Sequence, residues 1–118
     1  MKTLLLTNKK KAKHLFAEFW EGDKKRIYLV DTGSDISVLF YRPLGSKLYE
    51  KKYITVMWSN LVQRLPGVIH DEMVFYYSKD QPEVIQELSK SYDVKISGII
   101  GLDYMLQRKI VLDFSKLE

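Results

Sequence analysis

Ile27-Tyr28-Leu29-Val30-Asp31-Thr32-Gly33-Ser34-Asp35-Ile36-Ser37-Val38-Leu39 decides how this chain is read. Two apolar runs, Ile27 to Val30 and Ile36 to Leu39, flank a short segment of Asp, Thr, Gly and Ser, the composition of a tight turn between strands. A carboxylate held between buried strands is costly unless it is hydrogen-bonded, paired or used, which makes Asp31 the first candidate for chemistry. Towards the other end, Ile96-Ser97-Gly98-Ile99-Ile100-Gly101-Leu102-Asp103-Tyr104-Met105-Leu106 reads as an apolar strand, a Gly turn and a short helix. A further strand, Ile110 to Phe114, follows it. The first block alone is a common kind of turn; the two together are far more specific.

This pair of blocks resembles the retropepsin-like aspartic proteases, in which an apolar-apolar-Gly strand packs beside an Asp-Thr-Gly turn. The resemblance spans residues 15–114 and is carried by the two blocks. It implies that Asp31 is the catalytic aspartate and that the Thr32 hydroxyl bonds across a two-fold axis to the partner's turn. Gly33, without a Cβ, would admit substrate backbone closely. Ser34 would complete the turn, its hydroxyl donating to the Asp31 carboxylate. Two such carboxylates face to face share a proton, so that one takes a proton from water while the other donates to the scissile carbonyl. The chain has one such motif, and 118 residues make one domain, too short for a two-lobed enzyme carrying both aspartates. The implied protein is a homodimer with a self-complementary interface. Its expected fold is mainly β, a closed β-barrel forming one acid-protease half, with one or two short helices. Residues 1–14 are expected as an N-terminal segment, either part of the dimer interface or flexible, and residues 15–118 as the protease domain.

Outward from the two blocks, Leu15 to Trp20 and Arg26 to Val30 form a hairpin-like pair around Glu21-Gly22-Asp23-Lys24-Lys25. Tyr53 to Trp58 and Leu61 to Leu65 form another. The resemblance makes the second pair a flap that closes over an extended peptide or protein substrate, with Trp58, Ser59 and Asn60 at its tip. It differs from the family's usual flap in having no glycine before Gly67. Substrate would also meet Asp35, Ile54, Val56 and Ile100, with Val38 a further lining residue. In retroviral members, an Arg directly after the apolar-apolar-Gly element pairs with the position of Asp35; here Leu102 stands there, leaving Asp35 to Arg26, Arg42, Arg108 or solvent. Met73 to Tyr77 reads as a strand, and Pro82 to Ser91 as a packing helix capped by Asp80 or Gln81, with Val84, Ile85 and Leu88 on one face. Asp103 is expected to cap the late short helix, and Asp113 to serve structure or interface. Leu4 to Leu6 and Ile110 to Phe114 are the terminal strands that could interleave in a dimer.

The net charge of +4 and pI near 9.2 come largely from Lys9, Lys10, Lys11, Lys13, Lys51 and Lys52, read as a solvated surface with no nucleic-acid footprint. Without cysteine there is no disulfide framework and no thiolate chemistry. His14 and His70 stand in no ligand or triad spacing, so neither a metal nor a cofactor is expected. The opening apolar stretch, Leu4 to Leu6, is too short for a signal sequence or a membrane span, and a cytoplasmic protein is expected. The expected function is an aspartic endopeptidase. The alternative is a dimerisation or peptide-binding module of the same fold with little or no turnover.

Overall fold

The computed structural model of the chain describes residues 4–7, 14–58 and 61–109. Its elements are β1 (Leu4–Thr7), β2 (Leu15–Glu21), β3 (Lys24–Val30), β4 (Val38–Leu39), β5 (Lys47–Trp58), β6 (Leu61–His70), β7 (Met73–Tyr77), α1 (Glu83–Tyr92), β8 (Ile96–Ile100) and α2 (Leu102–Gln107). The strands form one mixed sheet in the order β1-β2-β3-β8-β4-β7-β6-β5. The fold is mainly β with two short helices, as the sequence leads one to expect.

The expected closed barrel is not what forms. Among the described residues the sheet is open, with β1 paired only to β2 and β5 only to β6. β5 is also longer than the run from Tyr53, and β6 extends past Leu65 to His70. Their ladder breaks between Tyr49↔Gly67 and Tyr53↔Pro66, where three residues of β5, 50–52, are inserted between neighbouring residues of β6. Pro66 has no N–H to donate, so the bulge falls where the ladder would lose a bond anyway.

Alternation builds two apolar layers, one on each face of the sheet. Ile27 and Leu29 of β3 turn to one face, with Phe16, Val38, Leu65, Tyr76, Ile96 and Ile99, and are covered by Ile85 and Leu88 of α1. Tyr28 and Val30 turn to the other, with Phe19, Leu39, Val68, Phe75 and Ile100, and are covered by Tyr104 and Met105 of α2. Tyr28 lies flat against Gly98, where a Cβ would come within 2.7 Å of its ring.

The expected side-chain cap on α1 is absent. Pro82 itself takes the N-cap position, which leaves Gln81 outside the helix, and its amide donates to Ile96 O at 2.9 Å instead. Helix α2 is tied to the β6–β7 turn. The Tyr104 hydroxyl donates to Asp71 Oδ2 at 3.2 Å, and Arg108 pairs with the same carboxylate at 3.2 Å. The terminal strand expected at Ile110 to Phe114, and Asp113 within it, lie outside the described residues.

Candidate active site

Asp31 owes its position to a strand inserted from far along the chain. β3 and β4 are consecutive in sequence, yet β8 lies between them, parallel to β3 and antiparallel to β4. The segment joining β3 to β4 therefore arches over the end of β8, and the two sequence blocks meet there. Asp31 N–H donates to Ile100 O at 2.9 Å, Leu102 N–H to Ser34 O at 2.8 Å and Asp103 N–H to Asp35 O at 3.2 Å. Gly101 has no room for a side chain: a Cβ there would run into the Ile36 carbonyl and stand 2.7 Å from Ser34 O.

Within the arch, Ser34 N–H donates to Asp31 O at 3.1 Å, and Gly33 N–H donates to the carboxylate itself, at Oδ1, over 2.9 Å. One carboxylate oxygen is thereby held by backbone. Thr32 and Gly33 are exposed at the crest, Asp31 is half-buried, and Asp35 is exposed. The Ser34 hydroxyl does not serve Asp31 as expected. It donates to Ile36 O at 2.7 Å, the local side-chain-to-backbone bond that serine favours in turns.

Asp103 does more than the capping role its sequence position indicates. The N-cap of α2 is Gly101, with no side-chain cap bond. From the first turn, Asp103 accepts the Ser37 hydroxyl at 2.6 Å and Ser37 N–H at 3.1 Å, as well as Tyr104 N–H at 2.7 Å. The Ser37 hydroxyl in turn accepts Gly101 N–H at 2.9 Å. Ser37 is wholly buried, so Asp103 and Ser37 together fasten the arch to the junction of β8 and α2.

The remaining candidate residues divide by face. Leu29 belongs to the α1 face, which strand alternation, carried one residue past the end of β3, would continue at Asp31. Ile54 and Val56 of the β5–β6 hairpin are half-buried against the same layer as Leu29. Val38 lies at the bottom of this layer at 1 % exposure. The Ile100 side chain, 2 % exposed, points into the opposite layer, and only its carbonyl meets the site. Trp58 ends β5 opposite Leu61, which leaves a two-residue connection for the hairpin. The Trp58 side chain, Ser59 and Asn60 lie outside the described residues. Asp35 makes no ion pair among the described residues: Arg26 is held by Glu21, Arg108 by Asp71, and Arg42 bonds to Ser46.

His14 enters the neighbourhood unannounced by any motif. The β2–β3 register runs from Glu21↔Lys24 to Leu15↔Val30, and His14 and Asp31 are the residues just beyond the end of that ladder. His14 Nδ1 lies 2.8 Å from the Tyr92 hydroxyl at the end of α1. His70 sits at the β6–β7 turn with its ring against Phe75. A separate cavity of about 510 Å³, bordered by Leu44, Lys47, Ile69, His70 and Glu72, contains none of the Asp31 arch.

The perturbed titrations belong to the α2 face. Burial pushes the Tyr28 phenol up to about 12, although its bond to the Tyr41 hydroxyl, 2.5 Å away, works in the opposite sense. Burial also raises Tyr41 and Tyr104, helped by the Glu21 carboxylate beside Tyr41 and by Asp71 beside Tyr104. Among the described residues no three His, Asp or Glu side chains gather as metal ligands, and no helix is long and apolar enough to cross a membrane. The chain matches no family model, no curated protein and no solved structure.

Proposed function

We propose that the chain is an aspartic endopeptidase that works as a homodimer, each copy contributing one Asp31. The observation that carries this reading is the arch: a half-buried carboxylate beside an exposed crest, one oxygen held by Gly33 N–H, and the whole turn locked to the end of a buried strand. A preorganised carboxylate of this kind is suited to proton transfer, because nothing need move when charge shifts. With a second copy across a two-fold axis, one Asp31 takes a proton from a water held between the pair. The other donates to the carbonyl oxygen of the peptide, giving a tetrahedral diol. The proton then passes to the leaving nitrogen as the C–N bond breaks. Thr32, exposed beside Asp31, would bond to the partner's turn, and Gly33 leaves space for an extended peptide.

One observation favours the second reading, a peptide-binding or dimerisation module. The apolar side chains of the Asp31 face are nearly closed off in the single chain, Leu29 being 6 % and Ile99 5 % exposed, so the free groove is confined to half-buried residues at its rim. Digestion of a diverse peptide library from about pH 3 to about pH 8, by the wild type and by Asp31→Asn, separates the readings. A peptidase loses all cleavage with Asp31→Asn. A folded dimer that cleaves nothing in either form refutes the enzyme and leaves the binding module.

A further inference from the structure

We propose that the cavity between the β4–β5 and β6–β7 connections is a second binding site, for a small zwitterion with an apolar body. That is the chemistry of a free apolar amino acid or a short apolar peptide. The proposal does not depend on the peptidase reading.

The cavity holds about 510 Å³, within the range of about 300–1,000 Å³ usual for small-molecule sites. Lys47 opens β5 directly opposite Ile69 of β6, so an ammonium and an apolar side chain leave the sheet on one face. Leu44 is wholly exposed and Ile69 is 38 % exposed, which gives the cavity apolar surface that a ligand's body would cover.

Its charged groups are of both signs and unengaged. Among the described residues the side chains of Lys47 and Glu72 make no hydrogen bond and no ion pair. Asp71 also borders the cavity, but its carboxylate is taken by the Tyr104 hydroxyl and by Arg108. One ammonium and one carboxylate are left over, and they answer the carboxylate and the ammonium of a zwitterion. His70, its ring 5.6 Å from that of Phe75 between centroids, completes the lining.

The backbone supplies an independent observation. β6 and β7 are joined by two residues, Asp71 at φ 52° and Glu72 at φ 62°, the signs of a type I′ turn. Glycine suits the second position of such a turn, and a residue with a Cβ is disfavoured in the left-handed region. Nothing in the described chain offsets that strain at Glu72, whose carboxylate has no partner. Strained residues gather at ligand clamps, and a carboxylate kept at the cavity for an incoming ammonium accounts for glutamate where the turn favours glycine.

Isothermal titration calorimetry of the full chain tests the site, with leucine, with Leu-Leu, and with Leu-Leu blocked by N-acetylation or by C-terminal amidation. We expect one-to-one binding, and the tighter of leucine and Leu-Leu tells amino acid from peptide. Each block should weaken the binding of Leu-Leu about tenfold or more, since a charge-assisted contact is lost. The blocks should also match the residues: Lys47→Met binds Leu-Leu and its amide alike, and Glu72→Gln binds Leu-Leu and its N-acetyl form alike. Glu72→Gly relieves the strained φ, so it keeps the fold while losing affinity about tenfold. Asp31→Asn leaves the cavity intact and should bind as the wild type does. Absence of binding by both probes overturns the inference, as do blocked forms that bind as tightly as free Leu-Leu. Affinity that disappears in Asp31→Asn puts the ligand at the arch and overturns it too.

Discussion

Replacing Asp103 with alanine removes the acceptor that holds the arch. Three donors lose it: the Ser37 hydroxyl, Ser37 N–H and Tyr104 N–H. Tyr104 N–H lies in the first turn of α2, where the exchange of a carboxylate for water costs only a fraction of a kcal/mol to about 1 kcal/mol. Ser37 is another matter, since at 0 % exposure it has no water to turn to. A hydrogen bond to a charged group contributes about 1.5–3 kcal/mol, and a buried donor left unpaired costs about 1–3 kcal/mol. The Ser37 hydroxyl can still rotate and keeps Gly101 N–H as a donor to it, so the two losses do not add in full. Asp103→Ala should therefore cost about 3 kcal/mol, and Asp103→Asn, which keeps one acceptor oxygen, about 1–2 kcal/mol. Urea unfolding at neutral pH measures both, provided the m-value is unchanged. In a double-mutant cycle with Ser37→Ala, the two losses should overlap by about 1–2 kcal/mol. An Asp103→Ala loss under about 0.5 kcal/mol, or a cycle that is additive, would refute the fastening role and restore Asp103 to a simple first-turn carboxylate.

Gly101→Ala places a Cβ against the Ile36 and Ser34 carbonyls, and because both belong to the arch, relief requires moving Asp31. A loss of about 3 kcal/mol is expected by denaturant unfolding, with Asp31-dependent cleavage falling more steeply than stability; a loss below about 1 kcal/mol would show that the arch gives way freely. The buried tyrosines give a second outcome, an alkaline limit. Tyr28 moves from an ordinary phenol value of 10.0 to about 12 on folding, so the stability it contributes is complete below pH 10 and disappears as pH rises to about 12. That difference corresponds to about 3 kcal/mol; urea midpoints should hold steady up to pH 10 and fall above it, and Tyr28→Phe should lessen the fall, the remainder being carried by Tyr41 and Tyr104.

The parts of the fold that were legible in the sequence are those governed by local pattern. Alternation in Arg26 to Val30, the Gly22-Asp23 turn and the apolar-Gly strand at Ile99-Ile100-Gly101 each carry their structure in a few adjacent residues. What was not legible depended on partners distant in sequence. The Ser34 hydroxyl was expected on the Asp31 carboxylate, and the path of the arch gives it Ile36 O instead. Asp103 looked like a cap because its own helix is nearby, whereas Ser37, 66 residues away, claims its carboxylate. Barrel closure was likewise a property of the whole sheet, which a strand count cannot supply. His14 stands in no ligand or triad spacing, and its bond to Tyr92, 78 residues away, was not legible either.

The insertion of β8 between β3 and β4 has a consequence for how the candidate site is maintained. Asp31 N–H donates to Ile100 O, Leu102 N–H to Ser34 O and Ser37 N–H to Asp103, so the second block supplies most anchors of the arch, while Tyr76 N–H of β7 donates to Ser37 O. α2 is itself anchored by Asp71 in the β6–β7 turn. The arch therefore cannot form when the β3–β4 connection folds alone; it waits for contacts of high sequence separation, which are the slow and cooperative part of folding. Releasing the Ser37 end of the arch would strand its buried donors, which ties that end to α2. A carboxylate held in this way shares the stability of the sheet as a whole, unlike one on a freely mobile loop. Its geometry is then preorganised by global folding free energy, the condition under which proton transfer needs least rearrangement.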